Sequence, residues 1–148
     1  ITSCTQEIFN GFLSDQVHKG FFHAHTYSAH PVGCAAAIAS IELLNSPKIL
    51  KQRDYIAQAH QEFVTKIQHH PSVQQVRCKG VILAIDLALE MERYGNLRDE
   101  LYQFFMDHGV ALRPLGNTVY VLPPNVITHQ ELDTIYSAIE QMLAHYNN

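Results

Sequence analysis

The chain has 148 residues, of which 47% are hydrophobic and 16% are charged, so it can bury a core and does not resemble a disordered tail. Its 14 acidic and 10 basic residues give a formal net charge of −4, and the Lys and Arg residues do not form runs. This charge distribution argues against a nucleic-acid-binding surface. The longest apolar stretch, from Val32 to Leu44, includes Ser40 and Glu42 and is too short to span a bilayer.

The cysteines and the first residues indicate the compartment. Cys4, Cys34 and Cys78 are far apart and odd in number, so we expect no disulfide framework. The N-terminal residues lack the positively charged region of a signal peptide. Both features favour a reducing cytoplasm. Because the chain starts at Ile1 with what resembles the end of a strand, we also expect it to be part of a longer protein.

Two helices separated by a polar loop are predicted in the first 45 residues. Ser3 and Gln6 form a predicted capping box for a short helix that extends to about Ser14. Pro31 suits the first position of a second helix, which is rich in small residues from Cys34 to Ala39. Small residues allow close backbone packing, so we expect this second helix to be buried.

From Ser46 onward, the pattern predicts the order helix, strand, strand, helix, strand, strand, helix. Ser46 with Pro47 begins a helix that extends to about His69, and Thr128 with Glu131 forms a capping box for the last helix. A middle helix runs from Asn96 to Gly109. The inward positions predicted for the first and last of these helices are Ile49, Ile56, Phe63, Ile67, Leu132, Ile135, Tyr136, Ile139, Met142 and Leu143. The result is an α+β fold, in which helices cover a small sheet over residues 46–148.

The last pair of predicted strands surrounds the Gly116-Asn117 dipeptide. Glycine at the first central position favours a two-residue type II′ hairpin, in which Leu115 faces Thr118. Arg113 then faces Tyr120 across the ladder, and a guanidinium is a planar donor suited to a carboxylate. Three prolines stiffen the backbone around this pair, at positions Pro114, Pro123 and Pro124. We therefore predict an acid-binding site. The simpler alternative is that Arg113 pairs with a surface carboxylate and Tyr120 is an ordinary strand residue.

A histidine-rich segment before the second helix admits three interpretations. A transition metal could be ligated by the imidazoles of His23, His25 and His30. No paired cysteine or carboxylate is nearby, however. The same histidines could instead pack at an interface. In the third interpretation, the hydroxyl residues 26–28 present donors just before a helix N-terminus, which is a natural site for an anion such as phosphate. A plain helix cap is the alternative for these hydroxyls.

The sequence also resembles a known family. Residues 22–37 read F-H-A-H-T-Y-S-A-H-P-V-G-C-A-A-A and resemble the H-G-H-T-Y-S-G-H-P-x-x-C-A-A-A segment of class III aminotransferases, which are fold-type I pyridoxal-phosphate enzymes. Residues 112–128 are similar to the members that act in biotin biosynthesis, and Tyr120 stands where many other members have arginine. A weaker likeness at residues 76–80 extends the resemblance over essentially the whole chain. Ala24 and Ala29 stand where the family has glycine, so the backbone there must avoid positive φ or tolerate strain.

This resemblance implies a domain organisation and a reaction. Residues 1–45 would be the remnant of a large cofactor-binding domain, and residues 46–148 would be the small C-terminal domain. The parent enzyme would be a cytoplasmic homodimer that uses pyridoxal 5′-phosphate. It would convert 8-amino-7-oxononanoate to 7,8-diaminononanoate with S-adenosylmethionine as amino donor. In another branch of the family, the substrate would be ornithine, 4-aminobutyrate or an ω-amino acid.

The resemblance also assigns roles to residues. His25 and Thr26 would bind the cofactor, with Thr26 binding its phosphate and reaching into the partner's site across a dimer interface. Arg113 would hold the substrate carboxylate, and Tyr120 would line the same pocket. The reactive lysine would lie upstream, since none of the five lysines of this chain stands in the family context, and the chain alone is expected to be inactive. The alternatives outside this family are a non-catalytic binding module and a histidine-based metal protein.

Overall fold

The structure, a computed structural model, describes residues 4–23, 26, 28–89 and 96–146. The chain forms two compact units, Ile1–Ile41 and Glu42–Asn148. Within the described ranges, the helices lack the combination of length and apolar character that crossing a bilayer requires.

The first unit contains a short helix, α1 (Gln6–Gly11), and most of α2 (Pro31–Leu44). The side chain of Thr5 caps α1 by accepting a hydrogen bond from the Ile8 N–H at 3.3 Å. The predicted cap, Ser3, was therefore wrong, and it lies outside the described residues. α2 begins at its proline as predicted, but its side chains are exposed or half-buried. The expectation of a buried α2 was wrong for this structure, because its apolar residues surround the helix and the small first unit offers little to cover them.

The second unit contains the larger core and the sheet. Its elements are α3 (Pro47–Ile67), β1 (Val73–Lys79), β2 (Ile82–Leu87), α4 (Leu97–Asp107), β3 (Thr118–Val121) and α5 (His129–His145). α3 is capped by Ser46, whose hydroxyl accepts from the Ile49 N–H at 3.4 Å, and α5 has the predicted capping box. The helices and the first hairpin thus follow the pattern read from the sequence.

The three strands form an antiparallel sheet in the order β1-β2-β3. Ile85 of β2 pairs with Val119 of β3, and both side chains are buried. Ala84 pairs with the next residue, Tyr120, and successive side chains point to opposite faces of a strand. Tyr120 therefore lies on the open face of the sheet, 42% exposed.

The fourth strand that the sequence predicted is absent from the described residues 112–115. This segment forms a single bridge, between Leu115 and Thr118. Pro114 fixes φ near −65°, whereas antiparallel strands need about −140°. The Leu112 N–H also donates to the Val110 carbonyl at 2.9 Å, which turns the chain just before Arg113. The backbone is therefore not extended where the ladder was expected.

Apolar side chains from the sheet and three helices form the main core of the second unit, among them Phe63, Ile67, Leu83, Ile85, Leu101, Phe105, Val119, Ile139 and Met142. A smaller cluster joins α3 to the start of α5 through Ile56, Ile127 and Leu132. All the inward positions predicted on α3 are buried, as are those on α5 except Ile135 and Tyr136, which are half-buried. The predicted helical periodicity is thereby confirmed.

Candidate functional site

The turn between Leu115 and Thr118 has the predicted geometry. The Leu115 N–H donates to the Thr118 carbonyl at 2.9 Å, and the Thr118 N–H donates back to the Leu115 carbonyl at 3.1 Å. Gly116 has a φ of 61°, whereas Asn117 does not have a positive φ. Positive φ at the first central residue alone is the mark of a type II′ turn, so the predicted turn is confirmed.

This turn is attached to the end of β2. The Leu87 N–H donates to the Asn117 carbonyl at 2.9 Å, and the Asn117 side-chain amide donates to the Leu87 carbonyl at 3.1 Å. The Thr118 hydroxyl donates to Asp86 Oδ1 at 2.7 Å. None of these attachments was predicted, since the turn residues and β2 are about thirty positions apart in the chain.

Arg113 and Tyr120 do not face each other across a ladder, so that prediction was wrong, but they do line one groove. The groove has a volume of about 640 Å³. Its walls are mainly apolar and include Val110, Leu112, Val121, Pro123, Val126 and Ile127. The prolines beyond β3 thus border the groove, as the prediction of a stiff binding loop required. Arg113 and Tyr120 thus line the same groove, although they are not opposite each other in a pair of strands.

The guanidinium of Arg113 is exposed and forms no hydrogen bond or ion pair with any described residue. The alternative that it pairs with a surface carboxylate therefore finds no support within the described ranges. The Tyr120 hydroxyl likewise has no hydrogen-bond partner there. A guanidinium has five N–H donors in a planar fork, and a phenol can donate or accept. The groove can therefore offer several donors to a planar anion such as a carboxylate.

Glu131 is a further charged residue of the groove, and the sequence assigned it only a capping role. Its carboxylate accepts from the Thr128 N–H and the Thr128 hydroxyl, both at 2.8 Å. The backbone hydrogen bond from Thr128, with a smaller contribution from the hydroxyl, lowers the pKa of Glu131. The carboxylate is consequently ionised at neutral pH.

The loop before α2 contains the predicted phosphate-binding residues. Thr26 lies in an exposed turn, and its hydroxyl is a suitable donor for a phosphate oxygen. His25 lies outside the described residues. The first turn of α2 is already capped, because Nδ1 of His30 accepts from the Gly33 N–H at 3.3 Å. Thr26 therefore has a hydroxyl that could donate to a phosphate group. The Gly33 N–H of the helix, in contrast, already donates to His30.

Two other expectations concern the same loop. Ala29 has a φ of 55°, so the loop tolerates left-handed backbone at a residue where the family has glycine, at a cost of about 1 to 2 kcal/mol. The described residues contain no group of three or more His, Cys, Asp or Glu side chains that could hold a metal ion. His25, one of the three proposed metal ligands, is not among them.

Comparisons with known proteins agree with the resemblance. The family model described as aminotransferase class-III matches residues 2–143. The adenosylmethionine-8-amino-7-oxononanoate aminotransferase of Synechococcus elongatus is 39% identical over 144 residues, which cover 97% of this chain and 34% of the relative. The protein of the same name from Geobacter sulfurreducens is 34% identical, with coverage of 96% and 33%.

A solved structure shows the same fold. The crystal structure of adenosylmethionine-8-amino-7-oxononanoate aminotransferase from Methanocaldococcus jannaschii superposes with a TM-score of 0.75 at 27% identity. The match covers 93% of this chain and 34% of that one, so the chain spans about a third of the length of these relatives. Because the family match covers nearly the whole chain, this chain belongs to the class III aminotransferase family.

Proposed function

We propose that this chain forms the substrate-carboxylate pocket of a pyridoxal-phosphate-dependent aminotransferase. The observation that carries the proposal is the groove in which Arg113 and Tyr120 both project without partners among the described residues. An unpaired guanidinium beside apolar walls suits an acid with an apolar chain, because the planar fork pairs with the carboxylate while the walls contact the chain.

Each part of the groove has a role in this proposal. Arg113 binds both oxygens of a substrate carboxylate, and Tyr120 adds a hydroxyl that orients the same group. The apolar walls, including Val121 and Val126, contact the methylene chain behind the carboxylate. The groove therefore fits an acid that has a carboxylate and an apolar chain.

An acid of this kind is 8-amino-7-oxononanoate, and we propose it as the amino acceptor. The whole enzyme would convert its oxo group to an amine, giving 7,8-diaminononanoate, with S-adenosylmethionine as donor. Support comes from the names of the relatives in Synechococcus elongatus and Geobacter sulfurreducens, both described as adenosylmethionine-8-amino-7-oxononanoate aminotransferases. Tyr120, in the position where many other family members have arginine, supports the same branch.

Pyridoxal 5′-phosphate, when bound, takes an amino group from the donor and transfers it to the acceptor. In this chain, the hydroxyl of Thr26 would donate to its phosphate, together with His25. Thr26 would act across the interface of a cytoplasmic homodimer. The lysine that carries the cofactor would lie outside this chain, so the chain alone would have no transaminase activity.

The test is a substrate panel with the complete protein that contains this chain. We expect transamination of 8-amino-7-oxononanoate with S-adenosylmethionine, and no turnover of ornithine, 4-aminobutyrate or ω-amino acids. Turnover of one of the latter instead would move the protein to another branch of the family. Failure of the complete protein to develop visible absorbance after addition of pyridoxal phosphate would overturn the assignment as an aminotransferase.

A further inference from the structure

A carboxylate in β2 connects all three strands of the sheet. Asp86 Oδ1 accepts from Nη2 of Arg77 in β1 at 2.8 Å and from the hydroxyl of Thr118 in β3 at 2.7 Å. The side chain of Asp86 is only 13% exposed, whereas that of Arg77 is 54% exposed. Because water has little access to Asp86, its two hydrogen bonds hold the carboxylate in one orientation.

Thr118 connects this carboxylate to the segments that contain Arg113 and Tyr120. It is the first residue of β3 and lies two positions before Tyr120, on the same face of the strand. Across the turn it bridges Leu115, which lies two positions after Arg113. The hydrogen bond from Thr118 to Asp86 thus holds a residue that is two positions from Tyr120 in β3. The same residue is bridged to Leu115, which is two positions from Arg113.

The neighbouring turn residue, Asn117, has a separate attachment to β2. The Asn117 backbone and side chain form two hydrogen bonds with Leu87, the last residue of β2. Loss of the Thr118 hydroxyl would therefore leave the turn folded and β3 paired with β2, while the Thr118 side chain would no longer be held to the Asp86 carboxylate. The expected consequence is a local change in the groove.

We propose that Asp86 and Thr118 are positioning residues that set the distance between Arg113 and Tyr120 in the groove. This inference rests on the proposed function, because it assumes that the groove binds the substrate carboxylate. Neither residue contacts the substrate. Arg77 contributes by neutralising and orienting Asp86, so that its Oδ1 faces the Thr118 hydroxyl.

The test uses two substitutions of Thr118 in the complete protein. Thr118→Val keeps the branched shape and the strand propensity but removes the hydroxyl. Thr118→Ser keeps the hydroxyl. We expect Thr118→Val to raise KM for 8-amino-7-oxononanoate about tenfold, which corresponds to about 1.4 kcal/mol of lost carboxylate binding, with kcat changed less than twofold. Thr118→Ser should restore KM to within about twofold of the unsubstituted protein.

Two further measurements separate positioning from general stability. The methyl ester of the acceptor has no carboxylate, so its KM should not respond to Thr118→Val. In the background of Arg113→Ala, the additional effect of Thr118→Val should also disappear, because without the guanidinium there is no distance from Arg113 to Tyr120 for Thr118 to set. Thr65→Val, which removes a hydroxyl that donates to the Glu62 carbonyl within α3, is the matched control and should leave both KM values unchanged.

The outcomes distinguish this inference from the proposed function. No turnover of the acceptor by the unsubstituted protein would overturn the proposed function itself. Normal turnover with an unchanged KM in Thr118→Val, or an equal rise for the acid and its ester, would overturn the positioning role alone.

Discussion

His60 and Tyr136 form a hydrogen bond of 2.6 Å between α3 and α5. His60 is fully buried, and its other ring nitrogen, Nε2, lies 3.2 Å from the Val81 carbonyl. A carbonyl can only accept, so Nε2 carries the proton and Nδ1 accepts from the Tyr136 hydroxyl. The neutral imidazole thereby joins α3, α5 and the turn between β1 and β2, and both of its ring nitrogens are hydrogen-bonded.

Tyr136→Phe should destabilise the chain by about 1 to 3 kcal/mol, because it leaves the buried Nδ1 of His60 without a donor. The ring itself would remain stacked on that of Phe63. The two ring centroids are 4.3 Å apart, and the ring planes are inclined by 15°. Urea unfolding of the chain followed by circular dichroism measures the difference. Tyr102→Phe is the matched control, since that tyrosine is 40% exposed on α4, and it should change little. Equal stability of the two variants would contradict the role assigned to the hydroxyl.

Stability should also depend on pH through His60. Burial lowers the pKa of His60, and the hydrogen bond to the Val81 carbonyl opposes this only in part. In the unfolded chain the pKa is about 6.5, so between that value and the lower folded pKa the unfolded state binds more protons. The contribution of His60 to the free energy of unfolding is therefore fully present above about pH 6.5 and decreases as the pH falls through this window.

The measurement for this second prediction is an NMR titration of the imidazole protons together with urea unfolding between pH 5 and 8. We expect the His60 resonance to titrate below about pH 6.5, the pKa of a histidine in the unfolded chain. Titration of His60 at or above pH 6.5, with no loss of stability on acidification, would contradict the buried neutral imidazole.

The helices could be predicted because their signals are local. Ser46-Pro47 and the Thr128-Glu131 box lie next to the helices that they cap, and the apolar period of α3 identifies its buried side. His60 occupies that side too, one turn after Ile56. Its partners are 76 and 21 positions away, so the sequence pattern contains no signal for them.

The groove shows the same limit of sequence reasoning. The turn at Gly116 follows from the conformational freedom of one glycine, which is local information. The ladder from Arg113 to Tyr120 failed because Pro114 and the turn at Leu112 depart from extended backbone. Attachment of the turn to Asp86 and Leu87 depends on strand register, which is set by the packing of the whole sheet. That Arg113 and Tyr120 line one groove was predictable, but the backbone path that brings them there was not.

Gly116→Ala should destabilise the chain by about 1 to 2 kcal/mol. No atom lies within 4 Å of the position that a Cβ would take, so the effect comes from the left-handed φ of 61° and not from a clash. Gly116→Asn should also be destabilising, because the first central position of a type II′ turn favours glycine. Gly11→Ala is the control: its Cβ would also meet nothing within 4 Å, and its φ is not positive. Thermal unfolding of the three variants gives the comparison, and equal midpoints for both alanine variants would exclude conformational strain at Gly116.

Substitution of Arg113 in the complete protein tests the proposed carboxylate pocket directly. Arg113→Ala should raise KM for 8-amino-7-oxononanoate by about a hundredfold, since it removes two charge-assisted hydrogen bonds from a groove with apolar walls. Arg113→Lys keeps the charge but loses the planar fork, so its KM should lie between those of the alanine variant and the unsubstituted protein.

The cofactor signal provides the internal reference for this last prediction. Visible absorbance after addition of pyridoxal phosphate should be the same in all Arg113 variants, because the guanidinium is assigned to the substrate and not to the cofactor. Arg98→Ala is the matched control, since Arg98 is an exposed arginine on α4 that pairs with its neighbour Asp99 at 2.7 Å. An unchanged KM in Arg113→Ala would place the substrate carboxylate elsewhere, whereas loss of the absorbance would mean that Arg113 supports cofactor binding instead.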